Sequence, residues 1–366
     1  MNSGQGPDRR ESRLRSLRDR LHDERIDGLL VSHPPDIRYM SGFSGSSGLL
    51  LIEPGLATLF TDFRYEEQAR GEVGESISLV IASDGLFDSL AERLSERPPG
   101  SRIGFDPAAT SVQDRSELER RCGTAIWDPV SGAVAELRTI KDPGELGHIE
   151  KAVQVAETAF DETLGRIRPG MSEQEIAADL IHALRTAGSG PLPFEPIVAS
   201  GPRSALPHAF PGPRVAERGD LLLLDFGARV GGYCSDLTRV MVFGPAQPWQ
   251  RDLHEAVNEA CLRAIASARD GIPACEVDAA ARDFLGELGL ADRFGHSTGH
   301  GIGLEVHEAP RVHKREDRPL VAGNVVTIEP GVYVPGRGGV RIEQDVVIEA
   351  GGRRTLGRSS TNLIEL

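Results

Sequence analysis

One stretch, Leu221–Asp236, constrains the fold of this chain more than any other. It reads LLLLDFGARVGGYCSD, and its apolar run has the character of a strand that ends in Asp225. The Gly231-Gly232 pair then predicts a tight turn, and the returning segment carries a second carboxylate, Asp236. The stretch therefore predicts a β-hairpin that brings two acids to one place.

Three later segments contain further residues that could bind a cation. They are His300 in GHSTGHGIGLEVHEAP, Glu329 in VVTIEPGVY and Glu343 in GVRIEQDVVI. Each glutamate lies in a β-branched, apolar run, where an ionised side chain is costly unless it is paired or bound to a metal. Four carboxylates and one imidazole in a core require a cation. Two divalent ions about 3.5 to 4 Å apart could share carboxylates and hold a hydroxide between them.

Two other interpretations of the segment around His300 agree less well with its residues than a two-metal site does. His296 and His300 are four residues apart, as in a zinc-binding helix, but Ser, Thr and Gly fill the interval and favour a strand or loop. The glycines of GHGIG suggest a phosphate-binding loop, yet the motif lacks the Lys-Ser/Thr of a P-loop and the spacing of a dinucleotide fold. We expect these glycines to let the backbone pack closely beside metals and substrate.

Charge and composition exclude several classes of partner. The 366 residues include 55 acidic and 41 basic side chains, so there is no basic excess to bind nucleic acid or an anionic membrane. No run approaches the roughly 18 apolar residues that cross a bilayer, and the N-terminus lacks the apolar region of a signal peptide. The four cysteines are widely spaced without a CxxC pair, which is typical of a reducing compartment. These features predict a cytoplasmic protein.

The chain divides into two predicted domains after a disordered lead, residues 1–10. Helical and strand patterns alternate through residues 11–137, which predicts a mixed α/β domain. Pro and Gly in LRTIKDPGEL mark the boundary, and residues 138–366 form the second domain. The predicted fold class is therefore α/β (α+β).

Several motifs in residues 139 to 366 resemble those of one metallopeptidase family. The motifs DFG, SDLTR, GHGIG, HE, TIEPG and RIE occur in the order and context found in methionine aminopeptidase, prolidase and aminopeptidase P, whose shared fold is called pita-bread. The resemblance implies a curved antiparallel sheet with helices outside and metals on its concave face. It also implies that the first domain is the creatinase N-terminal type, which methionine aminopeptidases mostly lack.

All five ligand positions of that family are matched in this chain. By resemblance, Asp236 and Glu343 bridge two ions, Asp225 chelates one of them, and His300 with Glu329 binds the other. Oxygen ligands with one imidazole favour Mn²⁺, Co²⁺ or Zn²⁺ over copper, and Mn²⁺ is the expected metal. In the implied mechanism a metal-bridging hydroxide attacks the peptide carbonyl. Glu329 accepts the proton of the water and passes it to the leaving nitrogen.

Four further residues match positions with roles in the family. His208 and His307 match two histidines suited to stabilising the tetrahedral oxyanion and to contacting the scissile amide. His296 and Arg341 match positions that line the pocket after the scissile bond in proline-specific members. The residues themselves leave alternatives open, since His208 could simply be exposed and Arg341 could be only a partner of Glu343.

The resemblance implies an Xaa-Pro aminopeptidase, which removes an N-terminal residue that precedes proline. The stretches SGFSGSSGLLLI and TDFRYEEQA resemble aminopeptidase P rather than prolidase, although GFSGSSG could also be a flexible turn. Arg64 and Tyr65 in the second stretch are candidates to reach a neighbouring active site. A homodimer is the family expectation, and the expected substrates are short peptides with proline at the second position.

Three alternatives to the aminopeptidase remain. A prolidase would have the same metal site but accept only dipeptides. A metal-free hydrolase of the creatinase type and a non-catalytic binding module are both less consistent with the chain, because their relatives have lost metal ligands and here all five are present.

Overall fold

The computed structural model describes residues 9–366 as two compact units, divided between Arg138 and Thr139. Residues 1–8, most of the predicted lead, lie outside the described residues. The first helix begins at Arg9, so the last two residues of that predicted lead are helical rather than disordered. Across residues 9–366, every helix is too short or too polar to span a lipid bilayer.

The N-terminal unit is a mixed α/β structure, as its alternating patterns predict. Its helices are α1 (Arg9–Asp23), α2 (Pro34–Ser41), α3 (Glu66–Glu72), α4 (Leu86–Ser95), α5 (Val112–Arg121) and α6 (Ala133–Arg138). Its strands are β1 (Gly28–Val31), β2 (Leu49–Ile52), β3 (Ala57–Asp62), β4 (Ser78–Ala82), β5 (Arg102–Phe105) and β6 (Ile126–Pro129). They form one sheet in the order β4-β3-β2-β1-β5-β6, in which β2 pairs antiparallel with both of its neighbours.

Sequence periodicity locates the strands of this unit but misses two of its helices. The apolar runs Gly28–Val31, Leu49–Ile52 and Arg102–Phe105 predict strands and coincide with β1, β2 and β5. No helical period marks α2 or α6, because these helices contain eight and six residues and complete too few turns to establish one.

The C-terminal unit combines four long helices with short, mostly antiparallel strands. The helices are α7 (Pro143–Leu164), α8 (Glu173–Thr186), α9 (Pro248–Ser267) and α10 (Ala274–Glu287). The strands are β7 (Ile197–Ser200), β8 (Leu221–Phe226), β9 (Arg229–Val230), β10 (Tyr233–Cys234), β11 (Leu237–Val242), β12 (Gly299–Gly301), β13 (Glu308–Val312), β14 (Val325–Ile328), β15 (Gly331–Val334), β16 (Gly338–Arg341), β17 (Gln344–Glu349), β18 (Gly352–Thr355) and β19 (Ile364–Glu365).

The strands of this unit form two main sheets and two ribbons. One sheet has the order β19-β11-β8-β7 and the other β13-β12-β14-β17-β18, while β9 pairs with β10 and β15 with β16. All of these pairs are antiparallel except β11 with β19. Buried side chains of α9 and α10 pack in one apolar core with residues of β8, β11, β14 and β17. The predicted α/β (α+β) class is confirmed.

Helix α8 shows how local sequence fixes the start of an element. The pattern Ser172-x-x-Glu175 predicts a capping box at this point. The Ser172 N–H donates to Glu175 Oε2 at 2.7 Å, and the Glu175 N–H donates to Ser172 Oγ at 3.2 Å. The reciprocal bonds satisfy two N–H groups that a helix start leaves without partners, and the prediction is confirmed.

Candidate active site

The predicted hairpin forms, and it delivers the first two acids. Strands β8 and β11 pair antiparallel with Asp225 opposite Thr238, and the chain reverses between β9 and β10. Gly231 and Gly232 occupy the turn with φ of +58° and +92°, backbone angles that residues with a Cβ rarely adopt. Asp225 lies near the end of β8 and Asp236 immediately precedes β11, so both carboxylates lie at the same end of the strand pair.

His300 is the central residue of β12, flanked by two glycines that allow neighbouring backbone to approach. A Cβ on Gly299 would lie 1.9 Å from the carbonyl oxygen of Thr327, and a Cβ on Gly301 would lie 2.2 Å from that of Ala309. The prediction of a strand or loop instead of a zinc-binding helix is confirmed. Both glycines that flank His300 pack closely against neighbouring backbone, and that the GHGIG glycines also allow packing beside metals and substrate stays a prediction.

The two glutamates are adjacent because their strands pair. Strand β14 ends immediately before Glu329, and β17 begins immediately after Glu343. The register places Ile328 opposite Gln344, which brings the two glutamate backbones together. Sequence patterns placed both acids inside apolar strands, and the structure places them at strand ends.

The five side chains converge in one cluster. His300 Nε2 lies 3.2 Å from Glu329 Oε1 and 3.9 Å from Asp236 Oδ2. One ligand atom each from Asp236, His300 and Glu343 lie within 4.8 Å of one another. Asp225 joins the cluster beside Asp236 and Glu329, both of which act on its pKa, and it forms a salt bridge with Arg341. The structure therefore brings together every residue that the sequence predicts as a metal ligand.

Hydrogen bonds from neighbouring side chains orient the cluster. His300 Nδ1 lies 3.0 Å from the Gly301 carbonyl oxygen, which can only accept, so this nitrogen carries the proton and Nε2 faces the carboxylates. The Thr238 hydroxyl donates to Glu343 Oε2 at 2.6 Å. The Thr327 hydroxyl donates to Glu329 Oε1 at 3.2 Å.

The electrostatics of the cluster are those of excess negative charge. Burial raises the pKa of Asp225, and burial together with the neighbouring carboxylates raises the pKa of Asp236 and of Glu343 well above ordinary values. Burial acts in the same direction on Glu329, but its hydrogen bond with His300 and the charges of the neighbouring cationic groups together outweigh burial and lower the pKa of Glu329 to about 2. The same contact raises the pKa of His300 against the effect of burial.

The donor set fits divalent cations. Asp225 Oδ1 and Asp236 Oδ1 are both buried and have no hydrogen-bond partner among residues 9–366. Within residues 9–366, the ion pairs of these four carboxylates involve two cationic side chains, His300 and Arg341. A buried oxygen without a partner is costly, and so is unbalanced buried charge. Divalent ions bound by these oxygens and by His300 Nε2 would remove both costs.

The four non-ligand residues surround this cluster. The His307 ring stacks edge-on against His300 with centroids 4.3 Å apart. Arg341 Nη1 donates to the carbonyl oxygen of Pro207 at 3.3 Å, which ties the exposed His208 to the site. Burial lowers the pKa of His296 and, together with the nearby His300, that of His307, which favours the neutral form of both rings. Arg341 contacts Asp225 directly, instead of Glu343 as the alternative interpretation expects.

Tyr333 is a buried member of the site that the sequence analysis missed. Its hydroxyl lies 2.9 Å from His296 Nε2 and accepts a hydrogen bond from Arg341 Nη1 at 2.7 Å. Burial raises the pKa of Tyr333 to about 12. The available signal was a tyrosine four residues after Glu329 in an apolar strand, since a buried tyrosine hydroxyl requires a polar partner.

Arg64 and Tyr65 lie in the N-terminal unit and have partners there. The Arg64 guanidinium donates to Asp62 through two bonds of 2.8 Å. The Tyr65 hydroxyl lies 2.6 Å from Ser46 Oγ, and Ser47 Oγ donates to Asp62 at 3.1 Å. The glycine- and serine-rich turn is thus held by side-chain hydrogen bonds. That Arg64 or Tyr65 reaches a neighbouring active site stays a prediction.

Comparison with known proteins agrees with the geometry. The family model described as metallopeptidase family M24 matches residues 147–350, and that of the creatinase/prolidase N-terminal domain matches residues 13–140. A Xaa-Pro dipeptidase from Pyrococcus furiosus is 34% identical over 97% of this chain and 100% of its own length.

Two solved structures are similar over nearly the whole chain. The Xaa-Pro dipeptidase from Bacillus anthracis has a TM-score of 0.94 and 39% identity, covering 98% of this chain and 100% of that one. The X-Pro aminopeptidase from Thermotoga maritima has a TM-score of 0.88 and 37% identity, covering 94% of this chain and 100% of that one. The similarity therefore extends over both units.

Proposed function

The chain belongs to metallopeptidase family M24, and we propose that it is a Xaa-Pro dipeptidase, which hydrolyses the bond between a first residue and a following proline. Its C-terminal unit has the pita-bread fold, and the protein is a metallo-exopeptidase. The convergence of Asp225, Asp236, His300, Glu329 and Glu343 in one buried cluster is the observation that carries the proposal. The names of the Pyrococcus and Bacillus relatives support the dipeptidase activity.

The aminopeptidase that the sequence motifs favour is the second candidate. It is supported by the Thermotoga relative and by the two N-terminal stretches that resemble aminopeptidase P. The full-length similarity to two proteins named dipeptidase gives the prolidase the better support. The intact ligand cluster argues against a metal-free hydrolase and against a non-catalytic binding module.

Divalent metal ions are implied by the family, and we propose two ions of Mn²⁺, with Co²⁺ and Zn²⁺ as alternatives. Asp225, Asp236, His300, Glu329 and Glu343 would hold them, with Asp236 and Glu343 as the carboxylates available to both. Such ions supply Lewis acidity, which acidifies water and polarises a peptide carbonyl. The partnerless Oδ1 atoms of Asp225 and Asp236 support the assignment of both aspartates.

Glu329 is proposed as the group that moves the proton. As a carboxylate it can accept a proton from the attacking water. The Thr327 hydroxyl donates to Glu329 Oε1 at 3.2 Å and orients the carboxylate. Hydrolysis releases the proline nitrogen as an amine, which must receive a proton, and Glu329 would deliver it.

Three histidines and one guanidinium would position the substrate. An imidazole N–H can donate a hydrogen bond, which suits His208 and His307 to the developing oxyanion and the scissile amide. His296, Tyr333 and Arg341 form a connected chain of hydrogen bonds that would line the pocket for the proline residue. The substrates proposed are short peptides with proline at the second position. A homodimer and a cytoplasmic location stay predictions.

The test is hydrolysis of a matched pair, Ala-Pro and Ala-Pro-Ala, by protein supplied with Mn²⁺, with Asp236→Ala as the control. We expect rapid cleavage of the dipeptide, slow or no cleavage of the tripeptide, and no cleavage by the control. A tripeptide rate equal to or above the dipeptide rate would identify the aminopeptidase instead. Cleavage of neither peptide would overturn both peptidase assignments.

A further inference from the structure

Three ion pairs with buried carboxylates lie outside the metal cluster, and each contacts the loop that carries one of the non-ligand histidines. All six of their residues belong to the C-terminal unit: Glu173 with Arg203, Asp278 with Arg282, and Glu308 with Lys141. Exposed fractions of the three carboxylate side chains are 0%, 0% and 5%. Such pairs are weak evidence for stability, so their placement needs another explanation.

Glu173, the first residue of α8, holds both ends of the loop that carries His208. Its Oε1 accepts the Ser200 N–H at 2.8 Å, and its Oε2 accepts the Gly212 N–H at 3.0 Å. Arg203 donates to Glu173 Oε2 at 2.9 Å and to the Phe210 carbonyl oxygen at 2.6 Å. The pair therefore bonds to backbone on both sides of His208.

Asp278 and Arg282 on α10 hold the loop that carries His296. Arg282 contacts the Asp278 carboxylate with two bonds of 2.7 and 2.8 Å. The guanidinium also donates to the carbonyl oxygens of Phe294 and His296, both at 2.9 Å. Asp278 Oδ1 accepts the Thr298 hydroxyl at 2.8 Å. The pair thus bonds to residues on either side of His296 and to His296 itself.

Lys141 and Glu308 hold the loop that carries His307. Lys141 Nζ donates to Glu308 Oε2 at 3.1 Å, and its side chain is 1% exposed. The other carboxylate oxygen, Oε1, accepts the Glu305 N–H at 3.1 Å. Glu308 follows His307 directly and is the first residue of β13. Of these two adjacent residues, His307 belongs to the site and Glu308 to the ion pair.

The metal ligands have a different kind of support. Asp225 and His300 lie within strands, and Asp236, Glu329 and Glu343 adjoin strand ends, so the ladder hydrogen bonds fix their backbones. His208, His296 and His307 lie in irregular segments. A loop without ladder bonds needs other contacts to hold a side chain in a productive geometry, and a misplacement of about 1 Å can cost about 100-fold in rate.

We propose that each ion pair is a positioning device for its own histidine: Glu173–Arg203 for His208, Asp278–Arg282 for His296, and Lys141–Glu308 for His307. This inference rests on the proposed function, because it assigns the three histidines to substrate contacts. The six residues touch neither substrate nor metal. They act by fixing the loops.

The first test is a matrix of double variants assayed for kcat on Ala-Pro. The cation variants Arg203→Met, Arg282→Met and Lys141→Met are each combined with His208→Ala, His296→Ala and His307→Ala. Each cation variant alone should lower kcat by about 10- to 100-fold. When a cation variant is combined with the variant of its own histidine, kcat should be almost the same as in the histidine variant alone. In the six mismatched combinations, the fold-losses in kcat of the two single variants should multiply. If the cation variants lowered kcat by the same factor in matched and mismatched combinations, the proposal would be overturned.

Loss of folding must be separated from loss of position, because a single substitution leaves a buried charge unpaired. The charge-free pairs Glu173→Gln/Arg203→Met, Asp278→Asn/Arg282→Met and Glu308→Gln/Lys141→Met avoid that cost. They should recover the melting temperature of the unaltered protein and retain its metal content, but not its kcat. Recovery of kcat together with stability would show that the pairs serve folding alone.

The second test does not depend on the substrate. In metal-free protein with ¹³C-labelled histidine, the ring signals of the ten histidines are assigned from single variants. Each cation variant should shift or broaden the signal of its own histidine and leave those of the other two loops unchanged. Unchanged signals, or equal changes in all three, would contradict the proposal. Failure of the unaltered protein to cleave Ala-Pro, with the expected signal changes present, would instead refute the proposed function.

Discussion

Glu53 in the N-terminal unit and Asp236 in the C-terminal unit are about equally buried, at 3% and 5% exposed, but their surroundings differ in charge. Glu53 accepts hydrogen bonds from two guanidinium groups, those of Arg93 and Arg97. Asp236 has other carboxylates as its main charged neighbours, and burial together with these carboxylates raises its pKa. One acid is neutralised by the protein itself, and the other is not.

The difference separates two uses of buried charge. Buried carboxylates with their own cations satisfy themselves within the fold, as Glu53 does and as Asp36 does with Arg138 at 2.6 Å. A group of carboxylates with too few cations is stable only if something else supplies positive charge. We therefore expect opposite responses when an acid of each kind is neutralised.

The largest effect is expected in activity. Asp236→Asn keeps the side-chain shape but removes one charge from the metal cluster, so we expect loss of bound metal and a fall in kcat/KM of about 1,000-fold or more. Elemental analysis and peptide assay measure the two together. Glu53→Gln is the matched control, with metal content and activity unchanged. Full metal occupancy in Asp236→Asn would remove this residue from the ligand set.

The next effect is on the stability of the N-terminal unit. Glu53→Gln removes the buried charge that pairs with Arg93 and Arg97. Because both guanidinium groups are partly exposed and Arg93 keeps its pair with Glu96, we expect a loss of about 2 to 3 kcal/mol of unfolding free energy. Urea denaturation followed by circular dichroism measures it. Glu66→Gln, whose partner Arg70 is 65% exposed, should change stability by less than about 0.5 kcal/mol. Equal effects of the two substitutions would be inconsistent with this account.

A third kind of buried group, neither paired nor metal-binding, is expected to respond to pH. Burial lowers the pKa of His254 to about 4, and His254 Nε2 has no hydrogen-bond partner in the described part of the chain. Because the pKa is lower in the folded state than the ordinary value of about 6.5, the unfolded chain binds the proton first and stability falls as pH drops from 6.5 to 4.

The unfolding free energy at pH 5 should therefore be about 2 kcal/mol lower than at pH 7. Unfolding free energies measured at both values for the natural protein and for His254→Leu should differ in their pH dependence by this amount. The same slope in both proteins would mean that His254 does not cause it.

The smallest expected effect is an increase in stability, whereas substitutions in a protein core usually decrease it. In protein stripped of metal, Asp236→Asn removes repulsion among buried carboxylates, so we expect the melting temperature to rise by roughly 2–4 °C, on the order of 1 kcal/mol. Scanning calorimetry in chelator measures the change. In the same buffer Glu53→Gln should lower the melting temperature. A fall for Asp236→Asn as well would end the distinction between the two kinds of buried acid.

Sequence alone identifies the parts of the site that local pattern encodes. Asp225 and Asp236 follow from a hairpin signal, and Glu329 and Glu343 from the cost of charge in apolar strands. The contacts that support them are encoded by distant residues. Tyr333 serves His296 and Arg341 through a fold that joins separate strands, and Lys141 meets a carboxylate 167 positions away. Periodicity and motif spacing contain no information on such pairs.

The glycines beside His300 have a consequence for experiments that score every possible substitution. Any replacement of Gly299 places an atom against the Thr327 carbonyl oxygen, so the strand must shift and move His300 with it. Gly299 would therefore appear as intolerant as the ligand itself, although it has no side chain to offer an ion. A scan of all substitutions would therefore identify Gly299, His300 and Gly301 as essential, although only His300 is needed for the chemistry. The charge and hydrogen-bonding capacity of each residue, not its tolerance score, distinguish a ligand from a spacer.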